Sequence, residues 1–566
     1  MDVQFIRKIK LGGFLILVVS LFYYQIIRGD YFLDKARSNY IKTIPLLPIR
    51  GSILDRNRTL LAFDVPTFNI AVVPYQIRKR KDTIFRRISQ VLSYPQDAIL
   101  KNYQRNLRSM FAPVEIIHDL NKDVALRLKE KFKSDIQLLI SPQRYYPYPY
   151  QFSHILGYVK RAQFFYKDIK GYGYLPEERV GFLGIEQYYD SYLRGEGGGD
   201  LVEVNSQGKL VGFLGRKKSQ RGKDIYLTID ARMQIIAYES LKGYRGVIIM
   251  LDPYKGEIFV LCSRPSFNLN SFIKGRNIGK VFKSKDRPMV NRGIQETYPL
   301  GSVFKPIVGL AGLEEKVIDG STTFYCDGEF TIGDTTFRCW SKHFQEDIFA
   351  ALAHSCNVYF YNLGVKLGVE KIHKWAKKFG FGSLTGIDLP YEKKGLVPSP
   401  VWKVKSKGER WFLGDTVNLS IGQGYLEVSP LQAVVAISCF ANGGYLVTPH
   451  LLKKVDDLKS VFLTKHFLNV SKDNLMIIKK GLRKVVADRE GTANKLELLG
   501  LEIAGKTGTA QNRGSPHGWF VGFFPYQKPQ YSVGVFLENC GESSEAVNVL
   551  YYFLKRLKEE GLLWGN

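Results

Sequence analysis

Ser302 and Lys305 stand three residues apart in the run Gly301-Ser302-Val303-Phe304-Lys305-Pro306. On a helix, positions i and i+3 share a face, so the hydroxyl and the amine can meet. A serine hydroxyl is a weak nucleophile until a neighbouring base takes its proton. A lysine is that base only where its surroundings lower its pKa. A serine in the first turn of a helix also has free backbone N–H groups and the positive dipole end beside it. Pro306 supports this placement, because proline is tolerated in a first turn. Gly301 supplies a tight turn, and residues 307–313 continue apolar enough to be buried. The same pattern occurs at Ser206 with Lys209 and at Ser271 with Lys274, both in polar, loop-like surroundings.

Two further groups have the chemistry to serve such a nucleophile. In Ser355-Cys356-Asn357 the hydroxyl can shuttle a proton, and the amide can hold a substrate carbonyl or the lysine. Lys506-Thr507-Gly508 occurs once, inside the strand-like run 502–510. Gly508 lets a substrate backbone approach closely. Lys506 offers positive charge to a carboxylate, and Thr507 and Thr509 offer hydroxyl donors. Each group alone is more often structural; together, in this order, they describe an acyl-transfer site.

Cys326, Cys339, His343 and Cys356 follow the spacing C-x12-C-x3-H-x12-C, a donor set compatible with tetrahedral zinc. A Cys326–Cys339 disulfide without metal is the alternative outside the cytoplasm, and unrelated thiols a plainer one. Cys356 lies between Ser355 and Asn357, so a bound metal would fix that loop. Six cysteines in 566 residues are too few for a disulfide scaffold.

These groups need a scaffold, and the rest of the chain indicates its kind. Arg7, Lys8 and Lys10 precede an apolar run at 11–27, near the lower length limit for a spanning helix. Tyr23 and Tyr24 lie where an interfacial aromatic belt belongs. No A-x-A-like cleavage site follows, which favours an uncleaved anchor over a signal peptide. The basic end stays in the cytoplasm and the remainder faces outward. We therefore expect a cytoplasmic tail at 1–10, a transmembrane helix at 11–28, a first external domain at 29–222 and a second at 223–566. The boundary follows a glycine-rich stretch at 195–199 and a basic stretch.

The second domain opens with a strand-like run at 225–229, and Asp230 can cap a helix at 231–241. Apolar runs at 247–251 and 258–262 flank Asp252-Pro253-Tyr254-Lys255-Gly256, a hairpin signature. Strands are expected at 503–504, 519–523 and 531–537, and a closing amphipathic helix at 543–559. The fold class is α+β, with one sheet whose edges come from both ends of the domain. The net charge of +28 favours an anionic partner, but no nucleic-acid-binding motif is present, so a membrane or wall surface fits better.

The motifs resemble those of penicillin-binding proteins and serine β-lactamases: S-x-x-K, S-x-N and K-T-G. Arg50-Gly51-Ser52-Ile53-Leu54-Asp55-Arg56-Asn57 with Leu61-Ala62 is similar to the pedestal motif of the class B penicillin-binding proteins. So are His154-Ile155-Leu156-Gly157-Tyr158, Gly184-Ile185-Glu186, and Leu193-Arg194-Gly195. Leu227-Thr228-Ile229-Asp230 with Gln234 resembles the start of their transpeptidase domain, and Gly422-Gln423-Gly424 the segment before K-T-G. Cys339-Trp340 and the run Ser355 to Tyr361 look most like the elongation-type members. Arg58 departs from the pattern, replacing a glycine and placing that turn in question.

The resemblance implies a transmembrane helix, an α+β pedestal with a head, and a β-lactamase-like transpeptidase domain whose antiparallel sheet is flanked by helices. It implies a peptidoglycan D,D-transpeptidase, with Ser302 attacking a D-Ala-D-Ala stem peptide and β-lactams acylating the same serine. The oxyanion would lie on the N–H groups of Ser302 and Thr509. Implied partners are stem peptides, a RodA-like SEDS glycan polymerase and the elongation complex. Some elongation-type members bind metal here through carboxylates at the first two positions. A soluble β-lactamase is disfavoured by the anchor, the pedestal and the lack of an E-x-x-L-N segment. No G-x-S-x-G elbow supports a Ser-His-Asp hydrolase.

Overall fold

The computed structural model describes all residues except 1–2, 108–109, 111–112, 163–177, 206–209, 276–277, 457, 460–463, 513 and 565–566. Ser206 and Lys209 thus lie outside the described residues. The chain forms two compact units, the first comprising Met1–Gly51, Asp64–Arg144 and Arg194–Gly222. The second comprises Ser52–Phe63, Tyr145–Leu193 and Lys223–Asn566. The stretch 29–222 is therefore shared between the units.

The first unit begins with an α-helix at Val3–Phe22 that passes into a π-helix at Tyr23–Ile27, with no buried residue in either. Among the described residues no helix is long and apolar enough to cross a membrane. The reason is local. The α-helix carries Arg7, Lys8 and Lys10, and the apolar run 11–27 is divided where the hydrogen bonding changes. The expected span at 11–28 does not appear as one spanning helix. A three-stranded antiparallel sheet follows, ordered Ile41–Leu46, Gly198–Val204, Leu210–Lys217. Its edge strand exposes Val211, Phe213 and Leu214. Elsewhere in this unit, Ile84, Phe85 and Ile88 of the helix Lys81–Leu92 pack with Ile99, Leu128 and Ile116.

The second unit holds a five-stranded antiparallel sheet ordered Ile258–Arg264, Gly246–Leu251, Tyr531–Leu537, His517–Phe524, Ala504–Ala510. Its edge strands come from opposite ends of the domain, as the apolar runs suggest. All residues in the strands Ile258–Arg264, Gly246–Leu251, Tyr531–Leu537 and His517–Phe524 are buried or nearly so, which explains their largely apolar pattern. Ser543–Glu559 and Ala231–Ser240 share one core with Val533, Val535 and Phe520. Another core contains the helices Lys305–Glu314 and Pro430–Ala441. The second of these is buried on every side and starts with a capping box between Ser429 and Gln432.

The segment Ser52–Phe63 has a definite task in this unit. Asp230 caps the helix Ala231–Ser240, accepting from Arg232 N at 3.0 Å and Met233 N at 3.3 Å. Asp55 accepts from Ala231 N at 3.0 Å, and Asn57 Nδ2 donates to Asp230 at 2.7 Å. Two carboxylates thus serve one helix N-terminus. Arg58 occupies the left-handed region, with φ 68°. A glycine would adopt that conformation without cost; a side chain costs about 1 kcal/mol. Asp55 holds the turn nonetheless, accepting from Asn57 N at 2.8 Å and Thr59 N at 2.7 Å.

Candidate active site

Ser302 lies in a 3-10 turn, Gly301–Phe304, that runs directly into the helix Lys305–Glu314. In a 3-10 turn residues i and i+3 eclipse, so Ser302 and Lys305 share a face more closely than an α-helix would give. Ser302 is partly exposed and Lys305 fully buried. Burial pushes the Lys305 amine down to about 8; the nearby cysteines Cys356, Cys339 and Cys326 oppose that shift. Its Nζ donates to Ser355 O at 2.8 Å, Asn357 Oδ1 at 2.7 Å and Ser355 Oγ at 3.3 Å. The sequence-derived S-x-x-K and S-x-N groups therefore meet at one amine.

Ser355 sits between the helices Ile348–Ala353 and Asn357–Leu367 with φ 56°. Left-handed backbone at a non-glycine costs on the order of 1 kcal/mol and persists only where surroundings enforce it. The bonds Ser355 N to Leu352 O, 3.3 Å, and Cys356 N to Ala351 O, 3.0 Å, enforce it from behind.

The strand Ala504–Ala510 lies against the Ser302 turn. A side chain on Gly508 would come within 2.8 Å of Leu300 O and 2.9 Å of Val303 Cγ2. The close approach that Gly508 permits is thus that of the nucleophile's own turn. Gly301, with φ 56°, faces Thr509 O in the same way, and its N–H donates to Gly422 O at 2.9 Å. Gln423 Nε2 reaches Thr509 O at 3.4 Å. The Gly422-Gln423-Gly424 segment therefore supports the turn and the strand together.

Lys506 is fully buried, and burial, then the charge of Lys305, holds its amine well below the usual lysine range. Of the two threonines, Thr509 is exposed, its Oγ1 accepting from Ser543 N at 3.3 Å. Thr507 is buried, and its Oγ1 lies 2.6 Å from Thr492 Oγ1.

Cys326, Cys339, His343 and Cys356 come together, with ligand atoms within 4.8 Å of one another. Cys326 ends the strand Phe324–Cys326, and Cys339 follows the hairpin Glu329–Ile332 and Thr335–Arg338. His343 Nδ1 lies 3.6 Å from Cys326 Sγ and 3.5 Å from Cys339 Sγ. All six cysteines are free thiols. Hydrogen bonding from Cys356, opposed by burial and assisted by His343, draws the Cys339 thiol down; the same bond pushes Cys356 up. Asn357 N donates to Cys339 Sγ at 3.2 Å, so the residue that holds Lys305 is itself held by this cluster.

Sequence reasoning missed the layer behind the cluster. His354 Nδ1 lies 2.9 Å from Glu346 Oε1, its ring stacks on His343 at 6.0 Å, and its carbonyl accepts from Trp340 Nε1 at 3.0 Å. Its position beside Ser355 was the one signal present in the sequence.

Residues 246–553 match the family model described as the penicillin binding protein transpeptidase domain, and 45–227 the penicillin-binding protein dimerisation domain. The peptidoglycan D,D-transpeptidase MrdA of Acinetobacter baumannii is 32% identical over 584 residues, spanning 96% of this chain and 86% of its own. A penicillin-binding protein (PBP2) of Helicobacter pylori, solved in complex with MreC, superposes with TM-score 0.83 at 30% identity, covering 92% of this chain and 99% of that one. A chain of a peptidoglycan synthase complex, described as coordinating polymerization and crosslinking, superposes with TM-score 0.73 at 27% identity. It covers 98% of this chain and 97% of that one.

Proposed function

This chain belongs to the class B penicillin-binding proteins of the elongation type, and from that premise we propose how its site performs D,D-transpeptidation of peptidoglycan. The carrying observation is the buried Lys305 amine, one 3-10 turn from Ser302 and bonded to Ser355 and Asn357. Ser302 Oγ attacks the carbonyl carbon between the two terminal D-alanines of a stem peptide while Lys305 takes the hydroxyl proton. The oxyanion lies on the N–H groups of Ser302 and Thr509. Collapse breaks the C–N bond, and D-alanine leaves with the proton returned through Lys305 and Ser355. An amine of a neighbouring stem then attacks the ester, an amide forms and Ser302 is regenerated. Lys506 and Thr509 receive the terminal carboxylate of the donor.

Purified protein given a stem pentapeptide and an amine acceptor is expected to release D-alanine and form the cross-linked amide. Penicillin is expected to remain covalently attached for many minutes. Rapid turnover of penicillin without cross-linking would replace this reading with that of a β-lactamase.

We propose zinc at Cys326, Cys339, His343 and Cys356. A tetrahedron with bonds of about 2.0–2.3 Å has edges of roughly 3.6 Å, and the two sulfur–nitrogen separations are 3.6 and 3.5 Å. The set is closed, three thiols and one imidazole, as structural sites are. A bound zinc would tie the hairpin to the Ser355–Asn357 turn. Protein purified without chelator is expected to carry about one zinc per chain, and Cys356→Ser to lose it along with thermal stability. No stoichiometric metal, together with a Cys326–Cys339 disulfide in a peptide map, would sink the assignment.

The same reading makes residues 11–28 a single membrane anchor with 1–10 in the cytoplasm and the pedestal, 29–222, and transpeptidase domain, 223–566, outside the inner membrane. The exposed apolar side chains of Val3–Phe22 and Tyr23–Ile27 support it. The partner is a RodA-like SEDS polymerase within the elongation complex. The likeness to a chain of a peptidoglycan synthase complex supports that partner, as does the exposed apolar edge strand Leu210–Lys217.

A further inference from the structure

Thr492 touches both halves of the site and belongs to neither motif. It follows the helix Lys472–Ala487 in a turn that folds back on the helix end. Asp488 N donates to Lys484 O at 3.0 Å, and Ala493 N to Val485 O at 3.0 Å. A side chain on Gly491 would come within 2.4 Å of Val485 O, so the turn is fixed tightly. Thr492 N then donates to Ala353 O at 3.4 Å, two residues before Ser355. Its Oγ1 lies 2.6 Å from Thr507 Oγ1, beside Lys506. One residue thus joins the end of the helix Ile348–Ala353 to the strand Ala504–Ala510. The helix preceding it packs on the same partner: a side chain on Gly481 would meet Leu352 Cδ1 at 2.5 Å.

We infer that Thr492 is a positioning residue that fixes the gap between the Ser355–Asn357 turn and the Lys506 strand and sets the direction of the Thr507 hydroxyl. Between two hydroxyls one must donate. When Thr492 donates, the Thr507 proton is free to point toward a substrate carboxylate, and the chain of donors is reinforced. When Thr492 lacks a hydroxyl, Thr507 loses its buried partner and turns elsewhere. This inference rests on the proposed Ser302 acyl-enzyme.

The test is acylation by a fluorescent penicillin in the full chain, with melting temperature measured alongside. Thr492→Val keeps the shape and removes the hydroxyl; Thr492→Ser keeps the hydroxyl. The valine variant is expected to acylate about tenfold more slowly, in keeping with a lost buried hydrogen bond. The serine variant is expected within about threefold of the wild type. In a Thr507→Val background, Thr492→Val is expected to add nothing, because the two act as one unit. A wild-type rate for Thr492→Val, an equal loss in Thr492→Ser, or full additivity with Thr507→Val would each overturn the inference. Absence of acylation in the wild type would overturn this and the proposed function together; acylation with an unaffected valine variant overturns this alone.

Discussion

Ser302→Ala is expected to yield a folded protein that forms no covalent adduct with penicillin and cross-links stem peptides at least about 10⁴-fold more slowly. The loss is large because, among the described residues, the other hydroxyls of the three motifs are engaged elsewhere. Ser355 is buried and bonded to Lys305 through both its carbonyl and its hydroxyl. Thr507 is buried against Thr492, and the Thr509 hydroxyl accepts from Ser543 N at 3.3 Å. Folding should survive, because Ser302 is partly exposed and alanine suits the entry to a helix. Intact-mass spectrometry after penicillin treatment decides: an adduct that persists in the variant places the acylated group elsewhere.

Lys305→Met is expected to slow acylation by about 10³-fold, in the range set by loss of a positioned base. Stability works differently. The methionine leaves Ser355 O and Asn357 Oδ1 without their donor, a cost of about 1–3 kcal/mol. It also removes a buried amine, and replacing buried charged groups by apolar side chains of similar volume can stabilise by about 1–4 kcal/mol. The two effects nearly cancel, so the melting temperature should move little while the rate collapses. Lys305→Arg separates base from charge. A guanidinium stays protonated and cannot accept the Ser302 proton, so it should not restore the rate. A fast Lys305→Arg enzyme would mean that Lys305 contributes charge alone.

The sequence speaks clearly where the controlling physics is local. The Asp230 cap, the hairpin around Asp252-Pro253-Tyr254-Lys255-Gly256 and the strands near 519–523 and 531–537 follow from period and turn chemistry, and each is present. S-x-x-K works for the same reason, although its turn proved 3-10 rather than α. Non-local facts were silent. Nothing near Thr492 announces Thr507, since a hydroxyl pair has no period. Nothing near Gly508 announces that Leu300 will press on it. The division of 29–222 between two compact units was equally hidden, because Asp55 declares its partner only when Ala231 arrives beside it.

Lys305 and Lys506 are both fully buried, and the charge of Lys305 disfavours charge on Lys506. Such a pair is poorly disposed to hold two protons by itself. In the proposed function, an arriving carboxylate would change that balance by favouring the protonated form of Lys506. A peptide whose chain stops with a free carboxylate carries the needed charge; a peptide bond in mid-chain does not. Under the proposed function the two amines would thereby act as an end-detector, distinguishing where a polymer terminates from where it merely passes by.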